Sequence, residues 1–104
     1  MLIIRGVNVF PTQIEAILLS YGEVEPHYMI LVDRVRNLDC MEIQIEMTRS
    51  FFSDSIKEIE NLERKLNADV QSVLGISAKI TLVEPRSLPR SEGKAKRVID
   101  RRQD

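Results

Sequence analysis

Between Ser55 and Gly75 the residues Ile56, Ile59, Leu62, Leu66, Val70 and Val73 recur every three or four positions, and this stripe constrains the fold more than any other feature of the chain. At 3.6 residues per turn such a spacing gathers them on one side of a helix. That side has to be covered by another apolar surface, so the chain must fold around it. Ser55 and Glu58 have capping-box spacing at the start of the stripe, and Gly75 supplies a residue able to end it in the left-handed conformation.

The cover comes from segments with a period of two. Met41, Ile43, Ile45 and Met47 alternate with Glu42, Gln44 and Glu46, and residues 27–33 are rich in apolar and β-branched side chains. The polar stretch Arg34-Val35-Arg36-Asn37 between them is short enough for a hairpin, which makes the two strands antiparallel. Ile76, Ala78, Ile80 and Leu82 alternate with Ser77, Lys79 and Thr81 as a final strand that ends at Pro85.

At the amino end, Met1-Leu2-Ile3-Ile4 and Val7-Asn8-Val9-Phe10 flank Arg5-Gly6, a pattern for a small hairpin or a kinked strand. Pro11 suits a helix start, Thr12 and Glu15 have capping-box spacing, and Ile14, Ile17 and Leu18 form an apolar face before Gly22. The order β-α-β-β-α-β predicts an α+β fold. Its expected form is a ferredoxin-like sandwich, an antiparallel sheet with two helices on one face, followed by a basic C-terminal tail.

A chain of 104 residues, 43% hydrophobic and 30% charged, is one soluble globular domain spanning 1–104. No apolar run approaches the roughly 18 residues that cross a bilayer, and no secretory pattern opens the chain, so a cytoplasmic protein with no membrane partner is expected. The single Cys40 excludes an internal disulfide, and with the lone His27 it makes no zinc-ligand set, so no metal site is expected. Cys40 reads as a small strand residue and His27 as a surface or strand-edge side chain.

Charge is unevenly placed. Residues 1–85 carry 8 basic and 13 acidic side chains, whereas residues 86–104 carry 7 basic and 3 acidic ones. A basic tail on an acidic body suits an anionic ligand, and a solvated charged end gives the same bias. Within the tail, Pro89 stiffens the approach, Gly93 allows a bend or a close approach to a ligand, and Lys94 follows as a point charge suited to phosphate and carboxylate chemistry. The local pattern alone favours a solvated basic tail over a lysine-delivering loop, because Gly-Lys pairs are frequent in loops.

Two longer stretches go further. Pro89-Arg90-Ser91-Glu92-Gly93-Lys94-Ala95-Lys96-Arg97 resembles the last signature of the adenylate-forming superfamily. Ile3-Ile4-Arg5-Gly6-Val7-Asn8-Val9-Phe10-Pro11-Thr12-Gln13-Ile14-Glu15 resembles its earlier, hinge-proximal signature. The wording of both is similar to the phenylacetate–CoA ligase branch, and the resemblance covers nearly the whole chain. It implies the C-terminal domain of an AMP-forming acid–CoA ligase, with ATP and coenzyme A as co-substrates, an aryl acid as substrate, and the N-terminal adenylation domain as partner. It implies that Lys94, with Gly93 beside it, bridges the acid carboxylate and the ATP phosphate during adenylation. It also implies that residues 5–9, with Arg5, Gly6 and Val7 at the turn, swing in for thioester formation, Gly6 lying close to the pantetheine arm of CoA.

The hinge expected just before Met1 and the phosphate-loop domain that would bind adenine and magnesium are not in the sequence. The chain is therefore expected to be an excised domain or a truncated product, inactive alone. A sheet edge or docking face uncovered at its N-terminus would favour a homodimer of the fragment. The same element order also fits an ACT-like regulatory module, which needs a glycine-bearing loop between the first strand and helix that Gly6 only loosely supplies. A nucleic-acid module is disfavoured by the acidic body and by aromatics of only 5%, none of them among Lys94, Lys96, Arg97, Arg101 and Arg102.

Overall fold

A computed structural model describes residues 2–52, 56–85, 88 and 98–102. Strands β1 (Leu2–Ile4) and β2 (Val7–Val9) form a two-stranded antiparallel sheet in which Ile4 faces Val7, leaving Arg5 and Gly6 as a two-residue loop. Helix α1 (Pro11–Leu19) follows, then β3 (Val24–Val35), β4 (Leu38–Met47), a single helical turn α2 (Arg49–Phe52), the long helix α3 (Ile56–Leu74), β5 (Lys79–Val83) and β6 (Val98–Asp100).

The second sheet has the order β5-β4-β3-β6. Its central pair β3–β4 is antiparallel and closes through Arg36 and Asn37, with Val35 opposite Leu38. Both outer strands run parallel to their neighbours, β5 along β4 and β6 along β3. The α+β class and the layering of both helices over one sheet face agree with the sequence expectation. The sheet itself is mixed instead of antiparallel. The physical reason is the crossover: α3 lies on the sheet and returns the chain beside β4 in the same direction, as a strand-helix-strand unit does.

Two further departures have local causes. The segment ahead of α1 pairs only with itself, so the larger sheet takes its fourth strand from the basic tail, where Val98 and Ile99 pair with Ile30 and Leu31. At α1 the cap is two residues earlier than Thr12: Phe10 is the N-cap and its backbone N–H donates to Gln13 Oε1 at 2.9 Å. Glu15, freed from capping, accepts the Tyr28 hydroxyl at 2.9 Å instead.

The core lies between the helices and the inner sheet face. Leu62, Leu66, Val70 and Leu74 of α3 and Ile14, Ile17 and Leu18 of α1 pack with Tyr28, Ile30, Val32, Met41, Ile43, Ile45 and Ile80. Val73, counted in the stripe from sequence, is 49% exposed and Leu74 takes its place. Ile4 and Val9 of the small hairpin enter the same core, so the hairpin is fixed to the body while Arg5 and Gly6 at its turn stay exposed. Ser55 lies outside the described residues. Gly75, at φ +79°, closes α3 with its N–H donating to the Gln71 carbonyl at 2.9 Å.

Candidate functional site

The turn singled out from sequence is built from Arg5 at φ +52° and Gly6 at φ +78°. Both centre residues of a tight hairpin need positive φ for the turn to match the twist of its strands. Glycine adopts that conformation freely, whereas arginine at such an angle costs roughly 1–2 kcal/mol. A side chain added at Gly6 would meet no atom within 4 Å. The glycine therefore serves the backbone angle, and the space beside it is open. Arg5 and Gly6 are exposed, while Val7 is half-buried against the core.

Asp39, at the start of β4, holds this turn. Its Oδ2 accepts the backbone N–H of Arg5 at 3.2 Å, and its carbonyl oxygen accepts Arg5 Nε at 2.9 Å. Its Oδ1 accepts Arg34 Nε at 3.0 Å. Arg102 arrives from the far end of the chain: Nη1 donates to Asp39 Oδ2 at 3.1 Å and to the Ile3 carbonyl at 2.7 Å. The other edge of that guanidinium grips Asp100, with Nε to Oδ1 at 2.9 Å and Nη2 to Oδ2 at 2.7 Å. The Arg5 N–H and Arg34 hold the Asp39 carboxyl below the usual carboxylate range, and Arg102 does the same for Asp100. The grip of Asp100 raises the Arg102 pKa in turn, so the pair stays ionised. A shallow depression beside the turn is lined by Arg5, Arg34, Asn37, Leu38 and Asp39.

Gly93 and Lys94 lie outside the described residues, as do the other members of residues 89–97. Both flanks are described. On one side the Leu88 N–H donates to Glu46 Oε2 at 3.1 Å, and Glu46 is 0% exposed. On the other, β6 pairs with β3, the Arg101 N–H donates to the Val32 carbonyl at 2.7 Å, and Arg101 Nε reaches Asp33 Oδ1 at 2.8 Å. Among the described residues there is no cluster of His, Cys, Asp and Glu that could hold a metal ion.

Sequence reasoning located the turn and missed its supports. Asp39 lies 34 residues from Arg5 and Arg102 almost the whole chain away, and neither stands in a motif that marks it. Glu46 occupies the polar phase of an alternating strand, which reads as solvent-facing. Its burial depends on the return of the chain at Leu88.

Residues 6–102 match the family described as AMP-binding enzyme C-terminal domain. A phenylacetate-coenzyme A ligase from Thermus thermophilus is 43% identical over 115 residues, covering 98% of this chain and 26% of that protein. The chain thus spans about a quarter of that relative's length. A crystal structure of a domain of phenylacetate-coenzyme A ligase from Bacteroides vulgatus superposes with a TM-score of 0.90 at 31% identity, covering 99% of this chain and 93% of that one. A 2-hydroxyisobutyryl-CoA ligase, solved with 2-HIB-AMP and CoA in the thioesterification state, superposes at 0.88 and 33% identity, covering 96% of this chain and 21% of that one.

Proposed function

This chain belongs to the family of AMP-binding enzyme C-terminal domains, and from that membership we propose that it is the mobile domain of an acid–CoA ligase, serving both half-reactions from different parts of its surface. In the first, a carboxylate oxygen of the acid attacks the α-phosphorus of ATP and pyrophosphate leaves, while the Lys94 ammonium, with Gly93 beside it, neutralises the charge that develops. In the second, the sulfur of CoA attacks the acyl carbon and AMP leaves, with the Arg5-Gly6-Val7 turn lying along the pantetheine arm. Phenylacetate is the acid proposed, from the kind of ligase the chain resembles.

The observation that carries this reading is the Arg5–Gly6 turn. It is exposed, has open space at the position of a side chain on Gly6, and is fixed by Asp39 and Arg102. A relative of the same fold was captured with acyl-adenylate and CoA in the thioesterification state, which supports assigning the turn to that step. The ACT-like alternative is set aside, because the relatives are CoA ligases and not regulators. ATP, CoA and the acid, together with the magnesium that accompanies ATP, fall mainly to the adenylation domain, which is the proposed partner.

The test compares three proteins given ATP, CoA and phenylacetate. A full-length ligase carrying this domain should form phenylacetyl-CoA, AMP and pyrophosphate. The same enzyme lacking residues 1–104 should form no thioester, and the isolated chain should do neither step. Turnover by the isolated chain, or thioester formation after the deletion, would contradict the reading.

A further inference from the structure

We infer that Asp39, braced by Arg102, is a positioning residue for thioester formation, because it sets the shape and direction of the Arg5–Gly6 turn. The inference rests on the assignment of that turn to the CoA half-reaction. It adds two residues that no motif marks.

The turn needs an external support. Its strands are three residues each and form a separate sheet, with no ladder to the four-stranded one. An isolated two-stranded hairpin of this size is marginal in water. Ile4, beside the turn, and Val9, at the open end of the hairpin, are buried in the core, but the two turn residues are themselves exposed, and Arg5 sits at a positive φ that arginine adopts reluctantly. The Asp39 carboxylate meets that need by accepting the Arg5 N–H, and the Asp39 carbonyl oxygen adds a bond from the Arg5 guanidinium.

Arg102 completes the brace from the other side. One nitrogen bridges the Ile3 carbonyl on β1 and Asp39 on β4, so a single group ties the small sheet to the large one. Two bonds to Asp100 set its direction, and Asp100 is held in β6 beside β3. The side chains of Asp39 and Arg102 are only 14% and 15% exposed, so solvent competes with the pair less than at an open rim. The turn can thus keep its aim while its outer side stays open.

Since Ile4 and Val9 anchor the hairpin strands independently, loss of the brace should loosen the exposed turn residues and leave the fold in place. A displacement of about 1 Å at a group that orients a reactant costs on the order of 10²-fold in rate. In the full-length ligase, Asp39→Ala should therefore slow thioester formation from supplied phenylacetyl-adenylate and CoA by about 10-fold or more at saturating CoA. Adenylation, read by pyrophosphate exchange, should stay within about two-fold. Asp39→Asn keeps an oxygen for the Arg5 N–H and loses the charge that Arg34 and Arg102 face, so its loss should be intermediate. If Asp39→Ala fails to fold, Asp39→Asn decides by the same split.

Gly6→Leu separates the role of the turn from the role of its support. If it leaves thioester formation intact, the assignment of the turn is wrong. If it slows that step while both Asp39 variants remain within about two-fold of the parent, the positioning role is wrong. Equal loss of both half-reactions in the Asp39 variants would mark Asp39 as a general structural residue and would also overturn the inference.

Discussion

The helix-covered face of the sheet and the charged corner around Asp39 lie on the same strands and are held by different physics. On the covered face, Leu66, Ile43, Ile45 and Ile80 are fully buried, and their contribution scales with area removed from water regardless of fine geometry. At the corner, Arg5, Arg34, Arg102 and Asp39 exchange directional bonds near solvent, and such pairs add little net stability. What they fix is direction. This chain obtains its stability from one region and the aim of its turn from another, so damage to each should appear in different measurements.

The largest effect should come from the apolar side. Leu66→Ala should lower the unfolding free energy of the chain by about 2–5 kcal/mol, measured in denaturant. A change below about 1 kcal/mol would show that the covered face does not carry the fold. Gly6→Ala, at the other extreme of packing, should cost only about 1–2 kcal/mol, because it meets backbone strain at φ +78° and no neighbouring atom. A cost equal to that of Leu66→Ala would erase the contrast between the regions.

A smaller effect tests the polar rim of the core. Burial, helped by donation of its hydroxyl to Asp69, pushes the Tyr21 pKa up to about 12. A raised folded value means the stabilisation is complete below the unfolded value near 10. It is lost as pH rises through about 12. Asp69→Asn should bring the Tyr21 titration, followed by NMR of labelled tyrosine, part of the way down, since burial remains. No movement would assign the shift to burial alone. The smallest effect is expected at Arg101, whose pair with Asp33 is open to water. Arg101→Ala should leave the melting temperature close to the parent's, and a large drop would show that charged pairs of this surface hold the fold after all.

The covered face was readable because one-dimensional periods report it. The α3 stripe and the alternation in β4 predicted the inner face at Leu62, Leu66, Val70, Met41, Ile43 and Ile45, whereas Ile59 is half-buried and Leu74 is buried where Val73 was expected. Sheet direction was not readable, since the pairing of β5 with β4 depends on where α3 lands. Strand β6 was hidden because Val98 and Ile99 are a short apolar pair among charges. The turn at Arg5-Gly6 was legible from local chemistry, and the resemblance gave it a role. Asp39 and Arg102 were not legible, because contacts across so long a stretch of chain leave no local pattern.

The proposed division of one domain between two half-reactions, served from two separate places, is probed by Lys94→Ala in the full-length ligase. Lys94 should act only while the acid attacks the α-phosphate. The substitution should slow adenylation by about 10²-fold or more, a loss of at least ~2.7 kcal/mol of transition-state stabilisation, and leave thioester formation from supplied acyl-adenylate nearly unchanged. Lys96→Ala, the control, should behave like the parent in both steps. Equal damage to both half-reactions by Lys94→Ala, or none to either, would contradict the account.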